Sequence, residues 1–226
     1  MKAVVKLGGF AFPPDLSHDT IRKYCRVMNS FSKKNQLTIV TGGGVLARKY
    51  IAAARELGAS ESVCDQIGIQ ASRLNARLFI AGLSDRAYPD IPESLAEFAK
   101  FRTSGLIVMM GGLQPGQSTN AVAALAAETM RADCLVNATD VDGVYSSDPE
   151  KDAHAKKLDE VTIDELMRIL STQGMGAGEY ALMDPLALRI IKRARIPTVI
   201  LDGRDPSNLE KAFAGKRVGT RVTPTK

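Results

Sequence analysis

Length, composition and charge exclude several classes of protein. The 226 residues suffice for one sizeable domain, and 45% hydrophobic beside 24% charged residues is typical of a globular rather than a disordered chain. The net charge of +5 is scattered and aromatic residues make up only 5%, so no basic stripe with stacking rings predicts nucleic-acid binding. No apolar run is long enough to span a bilayer and no signal-peptide pattern is visible, which predicts a cytoplasmic protein.

Three apolar stretches in the first half of the chain are typical of buried strands, and each ends in glycine. These stretches are residues 3–7, 37–40 and 106–110. The glycines that follow them are Gly8, Gly9, Gly42, Gly43, Gly44, Gly111 and Gly112. Several glycine turns on one edge of a sheet let backbone N–H groups approach a polyanion closely. The pattern therefore predicts a phosphate-binding edge.

Helical periodicity separates these strands. Apolar positions at helical spacing predict a helix from residue 21, a second over 45–57 and a third over 62–81. Glycine commonly follows the last residue of a helix, so Gly58 and Gly82 are expected to end the second and third helices.

The stretch 119–149 is the most informative part of the chain. It predicts a buried helix over 121–130, a short strand over 132–138, and then a turn that contains Asp140 and Asp142. Ligands of open α/β sheets bind just past the carboxyl ends of strands, so this turn is a candidate nucleotide site. The two aspartates are expected to shape the turn, and we do not assign them as metal ligands.

The last third of the chain continues the alternation. Thr162 and Glu165 form a capping-box pattern for a helix, a glycine-containing loop follows over 171–178, and Asp184 with Pro185 is typical of a helix start. Further strands are predicted over 198–201 and, at the edge of the sheet, over 217–223. The order of elements predicts an α/β fold with a mostly parallel sheet and helices on both of its faces.

Two nucleotide-binding patterns fit only in part. Residues 42–47 satisfy the dinucleotide fingerprint G-x-G-x-x-A, but the acids about 20 residues further on, Glu61 and Asp65, begin a helix instead of ending a strand. This misfit argues against a dehydrogenase. Residues 111–118 match a P-loop with glutamine in place of its lysine. The cation for the phosphates must then come from elsewhere, and Lys6 is the candidate.

Four segments together resemble the amino acid kinase family and, within it, the archaeal type of uridylate (UMP) kinase. They are residues 6–9, 41–50, 111–119 and 139–149, which read KLGG, TGGGVLARKY, GGLQPGQST and TDVDGVYSSDP. Residues 65–69, D-x-x-G-I, and 184–187, DPLA, also look like that group. The resemblance covers essentially the whole chain, and it implies a three-layer α/β/α sandwich with a mostly parallel central sheet, formed by a single domain over residues 1–226.

The resemblance implies an activity and its ligands. The γ-phosphoryl group of MgATP would pass directly to UMP, giving UDP and ADP in pyrimidine nucleotide biosynthesis, in a homo-oligomer that is a hexamer by family resemblance. The second pKa of a phosphate monoester is about 6, so UMP is largely a dianion at neutral pH and needs no general base. Two alternatives stay open: another small-acceptor phosphotransferase of the same fold, or a non-catalytic nucleotide-binding storage or sensor protein.

Matched position by position, the resemblance implies roles for individual residues. Catalytic roles fall on Lys6, Arg48 and Asn120. Contacts to ATP fall on Lys6, Gly8, Gly9, Phe10, Gly44, Arg48, Thr139, Tyr145 and Asp148. Contacts to UMP fall on Gly43, Asp65, Leu113, Gln114, Pro115, Gly116, Gln117, Ser118 and Thr119. Many family members have an aspartate where this chain has Asn120, and an asparagine can orient a lysine by a hydrogen bond but cannot offset its charge.

Overall fold

The computed structural model describes residues 1–149, 151–152, 154–172 and 182–224. Its strands are β1 (Lys2–Leu7), β2 (Gln36–Thr41), β3 (Val108–Met110), β4 (Cys134–Thr139), β5 (Val144–Tyr145), β6 (Lys157–Leu158), β7 (Glu160–Thr162), β8 (Thr198–Asp202) and β9 (Thr220–Thr223). Its helices are α1 (His18–Ser32), α2 (Gly44–Glu56), α3 (Glu61–Leu83), α4 (Leu95–Phe101), α5 (Thr119–Met130), α6 (Ile163–Thr172), α7 (Pro185–Ala194) and α8 (Ser207–Phe213). Of the loop predicted over 171–178, the first two residues belong to α6 and the others lie outside the described residues.

A seven-stranded sheet forms the centre of the fold, in the order β3-β2-β1-β4-β8-β9-β7. The strands from β3 to β8 in this order run parallel, β9 is antiparallel to β8, and β7 pairs in parallel with β9. Most residues of β1, β2 and β4 are buried, as in parallel sheets that are covered on both faces. The predicted mostly parallel sheet is confirmed.

Alternate side chains of the sheet belong to two separate hydrophobic cores. Val4 and Val40 pack on one face with residues of α5, α6 and α7. Val5 and Ile39 pack on the other face with residues of α1, α3 and α8. Helices thus cover both faces, which confirms the predicted α/β/α layers. Because strand side chains alternate with a period of two, Lys6 lies on the same face as Val4, toward α5 and α7.

Two predicted helix starts are confirmed by their hydrogen bonds. The backbone N–H of Thr162 donates to Glu165 Oε2 at 2.7 Å, and the backbone N–H of Glu165 donates to Thr162 Oγ1 at 3.2 Å. This reciprocal pair is a capping box. Pro185 occupies the first turn of α7 with Asp184 as its N-cap, where the missing N–H of proline has no intrahelical partner to lose.

The predicted end of the third helix at Gly82 is wrong. Helix α3 continues through Gly82 and ends at Leu83, followed by Ser84 with a φ of +53°. A Cβ atom at Gly82 would lie 2.9 Å from Cys25 Sγ. Gly82 is therefore a packing glycine that lets α1 approach α3 closely, and not a helix-ending residue.

The predicted position of the last strand at the edge of the sheet is also wrong. Strand β9 lies between β8 and β7, and β7 takes the outer position. Strand β7 and the antiparallel β5–β6 pair have only two or three residues per strand, and α8 has seven. Unlike β3, which lies within a continuous apolar run, these short elements show neither such a run nor a full hydrophobic period, which is why the sequence does not predict them.

Candidate active site

The turns that follow β1, β2, β4 and β8 meet at one edge of the sheet and are joined by backbone hydrogen bonds. The N–H of Gly8 donates to the carbonyl of the β4 residue Ala138 at 3.0 Å, and the N–H of Gly42 donates to the carbonyl at the end of β1 at 2.9 Å. The N–H of Gly203, after β8, donates to the carbonyl of Thr139 at 2.7 Å. The carboxyl ends of parallel strands lie at the same edge of the sheet, so the turns at Gly8, Gly42 and Gly203 form one continuous surface, which we call the floor of the site.

The turn after β1 and the turn after β2 are in backbone contact at Gly9 and Gly44. A Cβ atom at Gly9 would lie 3.0 Å from Gly44 Cα, and one at Gly44 would lie 2.8 Å from Phe12 Cβ. Gly44 also has a φ of +67°, which favours glycine. Arg48, one turn further along α2, reaches this contact, since its guanidinium nitrogen lies 3.6 Å from the place of a Gly9 Cβ. The predicted residues Gly9, Gly44 and Arg48 are thus brought together.

The Phe10 ring forms a wall beside this floor. A Cβ atom at Gly203 would lie 2.5 Å from Phe10 Cζ, and one at Gly8 would lie 2.9 Å from the same ring. The glycines after β1 and β8 therefore leave the space that the ring fills. Gly203 was not predicted as part of the site, although its position after a buried strand is the same signal that identified Gly8.

Lys6 brings a positive charge to this edge from β1. Its side chain is half-buried near the end of β1. Burial lowers the pKa of Lys6 to about 8, and the nearby carboxylates of Asp140 and Asp184 act in the opposite direction. A lysine with this environment keeps a positive charge at neutral pH while losing part of its hydration, which strengthens its attraction for phosphate.

Asp184 ties the first turns of two helices together beside Lys6. Its Oδ1 accepts hydrogen bonds from two backbone N–H groups in the first turn of α7, at 3.0 and 3.1 Å. Its Oδ2 accepts a short hydrogen bond from Ser118 Oγ. Ser118 in turn caps α5 by accepting from a backbone N–H at 3.0 Å. The sequence identifies Asp184 as a helix cap but not as a site residue.

Two asparagines on the Lys6 side of the sheet have an amide oxygen without a hydrogen-bond partner in the described part of the structure. Asn120 lies in the first turn of α5, and Asn137 lies on β4 directly opposite Lys6. Their Oδ1 atoms are buried, and neither has a hydrogen-bond partner among the described residues. Asn120 was predicted from the family pattern and Asn137 was not. An asparagine inside a buried parallel strand is the signal that could have identified it, because such positions are usually apolar.

Helix α3 holds the loop over 113–119 at its start and at its middle. Asp65 Oδ2 accepts a hydrogen bond from the backbone N–H of Gly116 at 2.8 Å. Arg73, whose side chain is only 12% exposed, donates through Nε to the carbonyl of Gly112 at 3.1 Å. The structure therefore brings Asp65 to the loop with which it was grouped. Arg73 was not predicted, since nothing in the sequence separates it from the other charged residues of α3.

The glycines after β3 differ from the expectation of a phosphate-binding turn. A Cβ atom at Gly111 would lie 2.7 Å from the backbone nitrogen of Arg73. The N–H of Gly112 donates to Ser72 Oγ at 2.8 Å. This pair serves the close packing of the strand end against α3, and the Gly112 N–H is already taken. The expectation that it contributes to a phosphate cradle is wrong for Gly112.

The turn after β4 is organised by side-chain hydrogen bonds. Thr139 Oγ1 donates to Asp140 Oδ1 at 3.0 Å, and the Tyr145 hydroxyl donates to Asp142 Oδ1 at 2.9 Å. Partial burial acts to raise the pKa of Asp142, but hydrogen bonds from Lys157 and Tyr145 outweigh it and lower the pKa. Tyr145 is half-buried on β5.

This fold and this edge define a class of protein. Glycine turns beside a half-buried lysine, at the carboxyl edge of a parallel sheet, are the kind of arrangement that can bind a nucleotide phosphate chain. Residues 1–202 match the model of the amino acid kinase family. The chain belongs to the amino acid kinase family, as its motifs predicted.

Relatives align with the chain over nearly its whole length. The uridylate kinase of Methanothermobacter thermautotrophicus is 45% identical over 224 residues, which cover 99% of this chain and 100% of that protein. The uridylate kinase of Methanosarcina acetivorans is 47% identical over 209 residues, which cover 92% and 90%. The crystal structure of uridylate kinase from Archaeoglobus fulgidus has a TM-score of 0.90 and 42% identity, with 99% and 100% covered. The UMP kinase of Bacillus anthracis, at 21% identity and a TM-score of 0.82, shares the fold.

Proposed function

We propose that the chain is a UMP kinase, an ATP-dependent enzyme that transfers the γ-phosphoryl group of ATP directly to UMP and releases UDP and ADP. The near full-length similarity to archaeal uridylate kinases carries this proposal. The geometry supports it, because Lys6 stands at a floor of glycine turns where the phosphates of two nucleotides can meet. The reaction serves pyrimidine nucleotide synthesis.

The residues suit a reaction that depends on alignment and charge. UMP brings a phosphate that is already largely dianionic at neutral pH, so the protein has to orient two polyanions and neutralise charge on the moving group. We assign Lys6 to the transferred phosphoryl group, Arg48 to the phosphates above the glycine floor, and Asn120 to the orientation of Lys6. Pre-aligned donors of this kind act without reorganisation during the reaction.

The two nucleotides are assigned to opposite sides of Lys6. For ATP we propose the floor and the turn after β4, namely Gly8, Gly9, Phe10, Gly44, Thr139, Tyr145 and Asp148. For UMP we propose the α3 side and its loop, namely Gly43, Asp65, Leu113, Gln114, Pro115, Gly116, Gln117, Ser118 and Thr119. The hydrogen bond between Asp65 and Gly116 supports this grouping, because Asp65 Oδ1 has no hydrogen bond in the described part of the structure and can accept one from a ribose hydroxyl.

Magnesium is expected as the companion ion of ATP. The described residues contain no cluster of three or more Asp, Glu, His or Cys side chains that could hold a metal ion. They do not form a dedicated protein cage for the ion. A Mg²⁺ ion that arrives with ATP takes most of its ligands from phosphate oxygens and water. We therefore assign no protein ligand to it and derive no step from it.

One assay tests the proposed function and separates it from its alternatives. ADP release from MgATP is measured with UMP, CMP, dUMP, carbamate or isopentenyl phosphate as the acceptor. We expect the highest kcat/KM with UMP. Preference for a different acceptor would indicate another phosphotransferase of the same fold. ATP binding without ADP formation on any of the five acceptors would indicate a storage or sensor protein.

We further propose that residues 1–226 form one domain, because strands from both ends of the chain join one sheet. The cytoplasm stays the predicted compartment. No helix in the part of the chain that the structure describes is both long and apolar enough to cross a bilayer. No nucleic-acid partner is proposed, since the excess positive charge is not arranged with aromatic residues.

A homo-oligomer is proposed from an apolar surface on α2 and α3, and the family resemblance suggests a hexamer. Leu46, Tyr50, Val63 and Leu74 are exposed there and line one groove. Contiguous apolar surface of this kind commonly marks a protein–protein interface. A second copy of the chain is the partner that we propose for it.

The Leu74→Asp variant is expected to have a lower molar mass in solution than the wild-type protein, because it places a charge in the proposed interface. Light scattering measures this directly. Leu57→Asp is the control, since Leu57 is 87% exposed but does not line the groove, and its mass should match that of the wild type. A wild-type monomer, or an unchanged mass for Leu74→Asp, would contradict the proposed interface.

A further inference from the structure

Asn137 is a polar residue in the middle of the buried strand β4, and it is fully buried. Its Nδ2 donates to the carbonyl of Leu182 at 2.8 Å. A carbonyl can only accept, so this bond fixes which end of the amide is nitrogen and leaves Oδ1 at the other end. Oδ1 has no hydrogen-bond partner among the described residues. A buried acceptor without a partner costs about 1–3 kcal/mol, so its presence requires an explanation.

The register of the sheet identifies the neighbour that can provide a donor. Asn137 pairs directly with Lys6 on β1 and with Ile200 on β8. Along β4 the adjacent residues on the same face are Leu135 and Thr139. Leucine and isoleucine have no side-chain donor, and the hydroxyl of Thr139 donates to a neighbouring carboxylate. Among these sheet neighbours, the Lys6 ammonium has N–H groups to offer.

We infer that Asn137 is a positioning residue for phosphoryl transfer, whose unpartnered Oδ1 is available to accept a hydrogen bond from Lys6 Nζ while its Nδ2 holds the segment that carries Asp184. The inference rests on the proposed kinase activity and on the role assigned to Lys6. An ammonium group has three N–H donors, so one donated to Asn137 leaves two for phosphoryl oxygens. Leu182 lies two residues before Asp184, and the same amide therefore holds the segment of the α7 cap in place.

A neutral acceptor suits this position. The charged groups that act on Lys6 are Asp140, in the turn after β4, and Asp184, at the start of α7. The first turn of α5 contributes the uncharged Asn120, and the paired residue on β2 is Val40. An amide oxygen stabilises the protonated lysine by its dipole, and it adds no full negative charge that would repel the phosphates.

The test compares the alkaline limb of kcat/KM against pH in the intact enzyme and two variants. Asn137→Leu removes the acceptor, so we expect the limb to move to lower pH. Asn137→Asp adds an opposite charge beside Lys6, so we expect the limb to move to higher pH by roughly one unit. We expect kcat to fall by about tenfold or more in both variants, because the ammonium is oriented differently. A purely structural role would not move the limb in opposite directions.

Asn29→Asp is the matched control. Asn29 Oδ1 is likewise buried without a partner in the described part of the structure, but Asn29 lies on α1, across the sheet from Lys6. Its alkaline limb should match that of the wild type. If Asn137→Leu does not fold, Asn137→Asp alone tests the inference. The pKa of Lys6 is then measured in that variant by NMR titration of protein labelled with 13C-lysine. An unmoved or lowered Lys6 pKa in Asn137→Asp would overturn the inference. That titration also separates this outcome from a failure of the proposed activity, since it needs no turnover.

Discussion

Replacing Lys6 with alanine is expected to lower kcat for UMP phosphorylation by roughly 100-fold or more. The substitution removes a pre-aligned positive charge from the group that is transferred, and the loss of one such donor typically has this magnitude. The expected effect on KM is smaller, because the glycine turns and Arg48 still contact the nucleotides. Steady-state ADP release measures the change, and a thermal melt checks that the variant is folded.

Lys6→Arg is the matched variant, because it keeps the charge but does not titrate in the accessible pH range. The pKa of Lys6, which burial lowers to about 8, predicts that wild-type kcat/KM declines above about pH 8 as the free enzyme loses its cation. The bound phosphates favour the charged form, so the limb in kcat should lie at higher pH. Lys6→Arg should be slower than the wild type but should lack the alkaline limb.

The same pKa shift affects stability, with a defined sign. Between about 8, the folded pKa of Lys6, and 10.5, its ordinary value, the unfolded chain binds a proton that the folded protein has released. The free energy of unfolding should therefore rise with pH across that window in the wild type, relative to Lys6→Arg. A Lys6→Ala protein that turns over at the wild-type rate would contradict the assignment of Lys6.

The second large effect is expected for Gly44→Ala. Residue 44 has a φ of +67°, and an alanine Cβ would lie 2.8 Å from Phe12 Cβ and 3.0 Å from the Phe12 carbonyl oxygen. The left-handed conformation costs an alanine roughly 1–2 kcal/mol, and overpacking adds roughly 1–3 kcal/mol. For a domain of this size we expect the Tm to fall by roughly 5–15 °C. We also expect a higher KM for ATP, because the turn against Gly9 has to move.

The Gly58→Ala variant separates the effect of backbone strain from the effect of the close contact with Phe12. Gly58 also has a positive φ, of +80°, but no atom lies within 4 Å of the place of its Cβ. Its Tm should fall by only roughly 2–8 °C, from backbone strain alone, and its KM for ATP should not change. An equal fall in Tm in the two variants would show that the contact with Phe12 does not contribute to the loss of stability.

The sequence predicts most of the fold because apolar residues recur along its long helices and strands with the spacing typical of each. The buried strands β1, β2 and β4 end in glycine or in a polar turn, and that signal is sufficient to predict a parallel sheet with a binding edge. Gly82 shows the limit of local reasoning. The same residue type that ends α2 at Gly58 lies inside α3 at Gly82, because the deciding contact comes from Cys25 on another helix.

The residues of the candidate site also differ in whether the sequence alone identifies them. Lys6 and the glycines of its turn belong to motifs, and a motif is visible in one segment of chain. Arg73 and Asn137 bond to partners far away in sequence. No local pattern distinguishes Arg73 from the other charges of α3, and the polar side chain of Asn137 within a buried strand shows that the position is unusual but not what it contacts. Asp184 falls between the two cases. Its position before a proline predicts the helix cap made by Oδ1, while the bond from Ser118 to Oδ2 depends on how α5 and α7 pack.

The order of the strands determines which parts of this enzyme can be exchanged without moving its reaction centre. From β1 the chain moves outward to β2 and β3, and it then returns to the other side of β1 to add β4 and β8. The topological switch point lies between β1 and β4, the two strands that carry Lys6 and Asn137. With Lys6 at the transferred group, as proposed above, we expect strands to fix the place of phosphoryl transfer and the loops around it to select the acceptor. Exchanging the loop over 113–119 should alter which acceptor binds without relocating the reaction centre.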